Sequence, residues 1–297
     1  MKPFVRAFQY FQLKKYLSTH SYIKWDATRR LSYTPDLINP RTYCEKLSWL
    51  KLHHTTSEMG KYADKFLVRD YVKEKIGGKY LVPLHFSTKD PKDIIPKNLP
   101  DCPFIIKATH NSSGGIIIQD KNDSSINWKK IQNTLRWNLS ENYYWNGRES
   151  QYRNLEPRII VEELLTDSNG KVPSDFKLHY FNGKLAFLNV DSDRATLHKT
   201  TLYNDQWEYI DCAFEGYPTD KLLPKPICFD ELVEIGSILA KDFICIRVDF
   251  YILGTKIYFG ELTFHHNGGM DLFDPVEYDL KFGEMLNLDG LLNKNRT

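Results

Sequence analysis

The chain has 297 residues, with 40 Lys+Arg against 38 Asp+Glu, a formal net charge of +2 and 41% hydrophobic residues. That length holds one large domain or two ordinary ones, each with a buried core. The composition excludes collagen, a disordered tail and a coiled coil, and near-neutrality argues against a nucleic-acid partner held by a pervasive phosphate field.

The charge is uneven. Residues 1–31 carry Lys2, Arg6, Lys14, Lys15, Lys24, Arg29 and Arg30 against Asp26 alone, a local +6 that leaves −4 for the remainder. Phe4, Val5, Phe8, Phe11, Leu13 and Leu17 are interleaved with these bases. No apolar run there reaches the ~18 residues that a spanning helix needs. The segment reads as a basic amphipathic helix, either packed on its own domain or lying on an anionic membrane surface. Helical spacing then runs over Tyr43–Leu52 and Lys61–Ile76, the second ended by Gly77-Gly78. A polar stretch from Ser87 to Pro103, with Pro91, Pro96 and Pro100, looks like a boundary. Beyond it come strands at 104–109 and 115–119, a helix at 128–139 and a strand at 158–163. Phe176–Phe181 and Lys184–Val190 flank Asn182-Gly183, a hairpin signal. A helix at 229–241 precedes a second hairpin, 246–253 and 256–264. The pattern is α+β with antiparallel sheets, lacking βαβα alternation. Cys44, Cys102, Cys212, Cys228 and Cys245 form no CxxC, which fits a reducing cytoplasm and small buried hydrophobes.

Five features bear on chemistry. Asp249 and Glu261 are charged residues inside apolar strands, costly there unless paired or metal-bound. A three-residue turn, Gly254-Thr255-Lys256, would set them opposite each other as a hard-oxygen site for Mg²⁺. A two-residue turn would put them on opposite faces, and a solvent-facing hairpin edge is the plainer alternative. Lys107 precedes the small-residue loop Asn111-Ser112-Ser113-Gly114-Gly115, whose backbone N–H groups would suit phosphate oxygens, though such loops are often simple turns. Glu162-Glu163-Leu164 closes an apolar strand and could present a backbone edge to adenine, or merely run out to solvent. Asp191-Ser192-Asp193 after a strand has the form of a glycosyltransferase metal site. His265-His266-Asn267 is a polar loop beside the Glu261 strand rather than a pair of co-ligands.

In order, several stretches resemble the TupA-like ATP-grasp family of surface-polysaccharide and teichuronopeptide gene clusters. They are Asn39–Lys51, Ala63–Lys65 with Val68-Arg69, Ile106–His110, Gly147–Glu149, Pro157–Glu163, Val190–Arg194, Arg247–Asp249 and Tyr258–Phe264. The resemblance implies an ATP-grasp fold with mainly antiparallel sheets and a small lid. It divides the chain into a basic segment 1–38, a helical subdomain 39–103, a lid 104–163 and a carboxy-terminal subdomain 164–297 carrying the metal site. It implies that Lys65, Lys107, Lys177, the loop Ser112-Ser113-Gly114-Gly115 and the hinge Glu162, Glu163 and Leu164 bind ATP. Asp249 and Glu261 would hold Mg²⁺, with Thr263 or Asn267 completing the site. Thr263 stands where such enzymes commonly carry Asn. Arg247 and Arg194 would act with Lys107 at the reacting groups, or serve as structural ion pairs. Arg148, Asp191, Asp193, Arg194 and His265 would line the acceptor site. The implied reaction is cytoplasmic ligation of a carboxylate to an amine through an acyl phosphate. Its substrates would be a uronic acid of a sugar or glycan and an amino acid or amine, with peripheral membrane contact through the basic amino terminus. Glycosyl transfer through Asp191 and Asp193, a catalytically idle binding module, and phosphoryl transfer to a sugar are the alternatives.

Overall fold

A computed structural model describes residues 16–112, 114–167, 169–192, 198–217, 219 and 223–293. Twelve strands occupy three sheets among these residues. The largest has the order β11-β10-β5-β6-β7-β8, from β5 (Asp175–Phe181), β6 (Lys184–Ser192), β7 (Lys199–Tyr203), β8 (Tyr209–Ile210), β10 (Cys245–Leu253) and β11 (Lys256–Thr263). A second sheet has the order β1-β4-β2-β3, from β1 (Leu84–Thr88), β2 (Phe104–Ala108), β3 (Gly115–Ile118) and β4 (Ile159–Glu163). β9 (Ala213–Phe214) pairs with β12 (Phe273–Asp274). Every pair between named strands is antiparallel.

The expected hairpin between β5 and β6 forms as read. Asn182 and Gly183 sit at φ 49° and 80°, the left-handed pair whose twist matches flanking strands. β5 is buried along its whole length, so its alternation divides two environments. Phe176, Leu178 and Tyr180 enter one core with Val248, Phe250 and the helix Phe229–Ala240. The opposite face carries Lys177 and His179, with Arg247 and Asp249 beside them on β10. Farther along that second face, Phe181 and Phe187 join a second core with Tyr43, Leu47 and Phe282.

Helix α1 (Thr19–Leu31) buries Tyr22, Ile23 and Ala27, so the basic segment is packed on the domain over this part. Residues 1–15 lie outside the described residues. Helix α2 (Tyr43–His53) begins with a capping box. Thr42 Oγ1 accepts from the Glu45 N–H at 3.2 Å, and Glu45 Oε2 accepts from the N–H groups of Thr42 and Arg41. Much of the Asn39–Lys51 match therefore fixes a helix start. That helix packs on helix α6 (Glu277–Met285) at Gly283, where a Cβ would collide with the Arg41 carbonyl oxygen and the Thr42–Tyr43 peptide. Gly283→Ala is expected to cost about 1–3 kcal/mol in urea unfolding, the usual cost of overpacking.

Two boundaries differ from the sequence reading. The helix expected over 61–76 is split into Gly60–Ala63 and α3 (Val68–Lys75). Asp64 Oδ1 accepts from the N–H groups of Phe66 and Leu67, an Asx turn that competes with helix continuation. The lid sheet also starts earlier than 104. β1 pairs with β4, and Ile94 and Leu99 pack with Phe104, Ile106, Val161 and Leu135 of helix α4 (Trp128–Ser140). Residues 84–103 thus belong with the lid, while α2 and α3 pack on the large sheet.

Candidate active site

The β10–β11 hairpin reaches the expected pairing by an unexpected route. Leu253 pairs with Lys256, so the turn has two residues, the geometry that alone would separate Asp249 from Glu261. A β-bulge shifts the register between Phe250↔Phe259 and Asp249↔Glu261, leaving Gly260 as the extra residue. The two carboxylates consequently face each other. Alternation carries the same face outward to Thr263 and Arg247, and across β5 and β6 to Lys177, His179, Asn189 and Asp191.

Arg247 is the hub. Its Nε donates to Asp249 Oδ1 at 2.6 Å and its Nη2 to Asp249 Oδ2 at 2.7 Å, a two-pronged pair. Nη2 also reaches Glu261 Oε1 and Thr263 Oγ1, each at 3.1 Å. Thr263 in turn donates to Glu261 Oε1 at 2.9 Å. Burial lifts Asp249 to about 6, with Arg247 opposing and the Glu261 charge adding to the rise. Burial also acts against ionised Glu261, but Lys65 and Arg247 win and hold it at about 2. Glu261 therefore stays ionised, and its side chain is 31% exposed toward the cleft. Two carboxylates and a hydroxyl, all hard oxygen donors sharing one buried guanidinium, fit the requirements of a magnesium ion.

Lys65 links this face to the lid. Its Nζ lies 3.5 Å from Glu261 Oε2 and donates to the Asn111 carbonyl at 2.7 Å, while its backbone N–H donates to Thr109 O. The Asx turn at Asp64 is what releases Lys65 from the helix to make these contacts. On the lid, Lys107 and Arg69 both bind Glu162, at 3.0 Å each. Ser112 lies at the cleft mouth with its hydroxyl bonded to that of Tyr143. Gly114 and Gly115 are exposed, and Leu164 is buried with its N–H on Pro103 O. The side chain of Glu163 lies on the lid face opposite Lys107 and Glu162, because it follows Ile159 and Val161 in the strand alternation.

The cleft between lid and large sheet has a volume of about 450 Å³. Lys65, Lys177, Arg247, Glu261, Asp191 and His198 are among its walls. Lys177 is bound to Asp191, with Asp175 3.4 Å away. Asp191 Oδ1 accepts from Thr200 Oγ1 and Asn189 Nδ2, each at 2.9 Å. Burial works to raise Asp191, yet Lys177 and Thr200 prevail and hold it at about 2. Each oxygen of Asp191 is thus engaged by a neighbour.

Other expected residues are placed as follows. Arg148 is buried against the rings of Trp145, Tyr22 and Tyr144 and is not among the residues lining the cleft. Its chain neighbours Gly147 and Glu149 reach the cleft instead. His265 lies in the cleft wall, with Nε2 3.0 Å from Thr55 Oγ1 and Nδ1 3.5 Å from Glu149. Asn267 lies in the cleft wall at φ 45°, its backbone carbonyl accepting from Arg30. Thr263 bonds Glu261 and Arg247 directly. Ser113, Asp193 and Arg194 lie outside the described residues.

Sequence reasoning missed Asn189, Thr200, His198 and Lys51. Asn189 is two residues before Asp191 on one strand face, a signal that was present. Thr200 needed the β6–β7 pairing to be known. Lys51 is 1% exposed in a cleft wall, donating to the Gly268 carbonyl at 2.5 Å. Burial depresses its ammonium to about 8, with Glu149 and Asp26 opposing. A depressed lysine binds its proton less readily when folded, so its contribution to stability rises with pH between about 8 and the unfolded value of about 10.4. The stability of Lys51→Met relative to wild type is expected to fall over that window in parallel denaturant titrations.

A search of curated proteins found no match. The profile described as TupA-like ATPgrasp matches residues 45–287. Among solved structures, the chain is similar to a D-alanine–D-alanine ligase from Bacillus anthracis at 15% identity, covering 73% of this chain and 62% of that one, TM-score 0.43. A D-alanine–D-alanine ligase from Helicobacter pylori aligns at 14% identity over 83% of this chain and 69% of that one, TM-score 0.44. The ATP-grasp ligase PsnB, solved with a minimal precursor, Mg and ADP, aligns at 10% identity over 82% of this chain and 65% of its own, TM-score 0.42. The chain thus spans less than two thirds of the Bacillus ligase and of PsnB. With four fifths of its length inside the family profile, the chain belongs to the TupA-like ATP-grasp family.

Proposed function

We propose that this protein is an ATP-dependent carboxylate–amine ligase of surface-polysaccharide biosynthesis, joining an amino acid or amine to a uronic acid. The observation that carries the reading is the hub around Arg247. One face of the large sheet collects two opposed carboxylates, a forked cation and Lys177, met by Lys65 and by Ser112 from the lid. Such a surface stabilises transferring phosphate by fixed charge, and most catalysis of that step is positioning and electrostatics.

Asp249, Glu261 and Thr263 would hold magnesium, which supplies charge neutralisation for the phosphates of ATP. Lys65 and Lys177 present ammonium groups to the same space, and Lys107, paired with Glu162 on the lid, would meet the phosphates from that side. Arg247, whose Nε and Nη2 hold Asp249, would turn its Nη1 edge toward the acceptor carboxylate, with Lys65 limiting repulsion from Glu261. The acceptor carboxylate would attack the γ-phosphoryl group with ADP leaving, and the amine would then displace phosphate to leave an amide. The cytoplasmic setting is supported by five free cysteines, four of them buried. No helix among the described residues is long and apolar enough to cross a membrane. The peripheral membrane contact of this reading is assigned to the basic amino-terminal segment, of which Tyr22, Ile23 and Ala27 are buried in the domain.

The test incubates purified protein with ATP, Mg²⁺, glucuronate or galacturonate compounds and mixed amino acids. The expected result is ADP and amide in equal amounts, the amide identified by mass spectrometry. Phosphorylated sugar without amide would replace the reading with sugar phosphotransfer. Consumption of a nucleotide sugar without ATP hydrolysis would replace it with glycosyl transfer.

A further inference from the structure

Three side chains with metal-binding atoms converge at the edge of the lid. They are His85 of β1, Cys102 just before β2, and Glu163 at the end of β4. His85 Nε2 lies 3.6 Å from Glu163 Oε2 and 3.6 Å from Cys102 Sγ. All three ligand atoms fall within 4.8 Å of one another. Ligands around a tetrahedral zinc ion, with bonds of about 2.0–2.3 Å, are separated by about 3.3–3.7 Å, so only a small closure is needed.

The register of the sheet brings the three together. β4 lies between β1 and β2, with Leu84 opposite Glu162 and Phe104 opposite Glu163. His85 falls at the β-bulge between Leu84 and Phe86, an irregularity of the kind that re-aims a side chain. Glu163 points away from the Lys107–Glu162 face, so its carboxylate meets His85. Cys102 is the one cysteine of five that is not buried. The side chains of His85 and Glu163 are 27% and 43% exposed, which leaves an entry path from solvent.

We propose that His85, Cys102 and Glu163 form a zinc site with three protein ligands and a fourth position open to water. Thiolate, imidazole and carboxylate together favour zinc over the magnesium suited to an all-oxygen set. On binding, the Sγ–H proton leaves to solvent, an S–Zn bond forms, and no electron is transferred. The ion ties β1 and the entry to β2 onto the end of β4, stiffening the lid at its hinge. The proposal takes the Glu163 carboxylate out of the implied ATP-binding hinge and leaves the phosphate and magnesium chemistry of the ligase reading untouched, since that chemistry lies away from this face of the lid sheet.

Cobalt(II) is the probe. It is titrated into the purified full chain under excess Mg²⁺, and absorption is followed in the visible and near ultraviolet. One equivalent should produce the ligand-field bands of four-coordinate cobalt and a thiolate-to-cobalt charge-transfer band, both erased by one equivalent of zinc. Cys102→Ser should lose the charge-transfer band, and His85→Gln should weaken binding at least ~10-fold. Zinc should raise the unfolding temperature of the wild type and leave that of Cys102→Ser unmoved. No bands at stoichiometric cobalt, or a charge-transfer band that persists in Cys102→Ser, would overturn the site. Circular dichroism confirms that each variant is folded before it is scored.

Discussion

Replacing Arg247 with lysine is expected to lower ATP-dependent turnover by roughly 10²–10³-fold while leaving the protein folded. The guanidinium makes two bonds to Asp249 and one each to Glu261 and Thr263. An ammonium keeps the charge, but its point geometry cannot span all three partners from one side chain. The carboxylates would then lose their fixed mutual placement, on which positioning of phosphate depends. The distinguishing readout is the split between parameters. Nucleotide affinity should change little compared with kcat, because Lys65, Lys177 and the lid remain. Arg247→Met goes further, leaving Asp249 and Glu261 opposed with no buried cation between them. Removing one partner of a buried ion pair typically costs about 3–5 kcal/mol, so this variant is expected to unfold at markedly lower urea. Unchanged turnover in Arg247→Lys would show that the hub only supports the fold.

The carboxylate pair was legible in the sequence, but the reason given for its pairing was not the operative one. Two charged residues inside apolar strands marked a face, and the required offset between them was correctly sensed. A three-residue turn was the simplest device for that offset. The chain uses a two-residue turn and a bulge at Gly260 instead. A bulge leaves almost no local signature, since a lone glycine in a strand also marks a bend or a close approach. The Asn182-Gly183 hairpin was legible because its backbone demands two left-handed residues. Lys65 was found by resemblance, yet its placement depends on Asp64 breaking a helix whose apolar spacing continues through it. Periodicity reports which face is buried and says little about a single interrupted turn. Arg148 sits away from the cleft walls, buried among rings. Its charge suggested an anion site, whereas its long stem and planar head suit a stack of rings as well. In the polar row His179, Asn189, Asp191 and Thr200, the first three follow from strand alternation and the Asn-Gly hairpin, while Thr200 joins only once β6 is known to pair with β7.

That row makes Lys177→Met the second large effect, this time on stability. Lys177 and Asp191 have side chains that are each 8% exposed, and Asp175 is 5% exposed beside them. Methionine fills much of the lysine volume but removes the ammonium that lies against both Asp175 and Asp191. The expected cost is about 3–5 kcal/mol in denaturant unfolding. Adding Asp191→Asn should restore a substantial part of it. An amide oxygen still accepts from Thr200 and Asn189 while the buried charge is gone. The pH dependence separates this from a packing defect. In the wild type Asp191 is held at about 2, so its contribution is present above the unfolded value of about 3.9 and is lost as pH falls through about 2. Without Lys177, burial raises Asp191 above the unfolded value, so the penalty is absent at low pH and grows as pH rises through the raised value. The stability difference between the two proteins should therefore shrink from pH 7 toward pH 3. A gap that stays constant across that range, or a double variant no more stable than Lys177→Met, would mean that lysine volume rather than charge is what the sheet requires there.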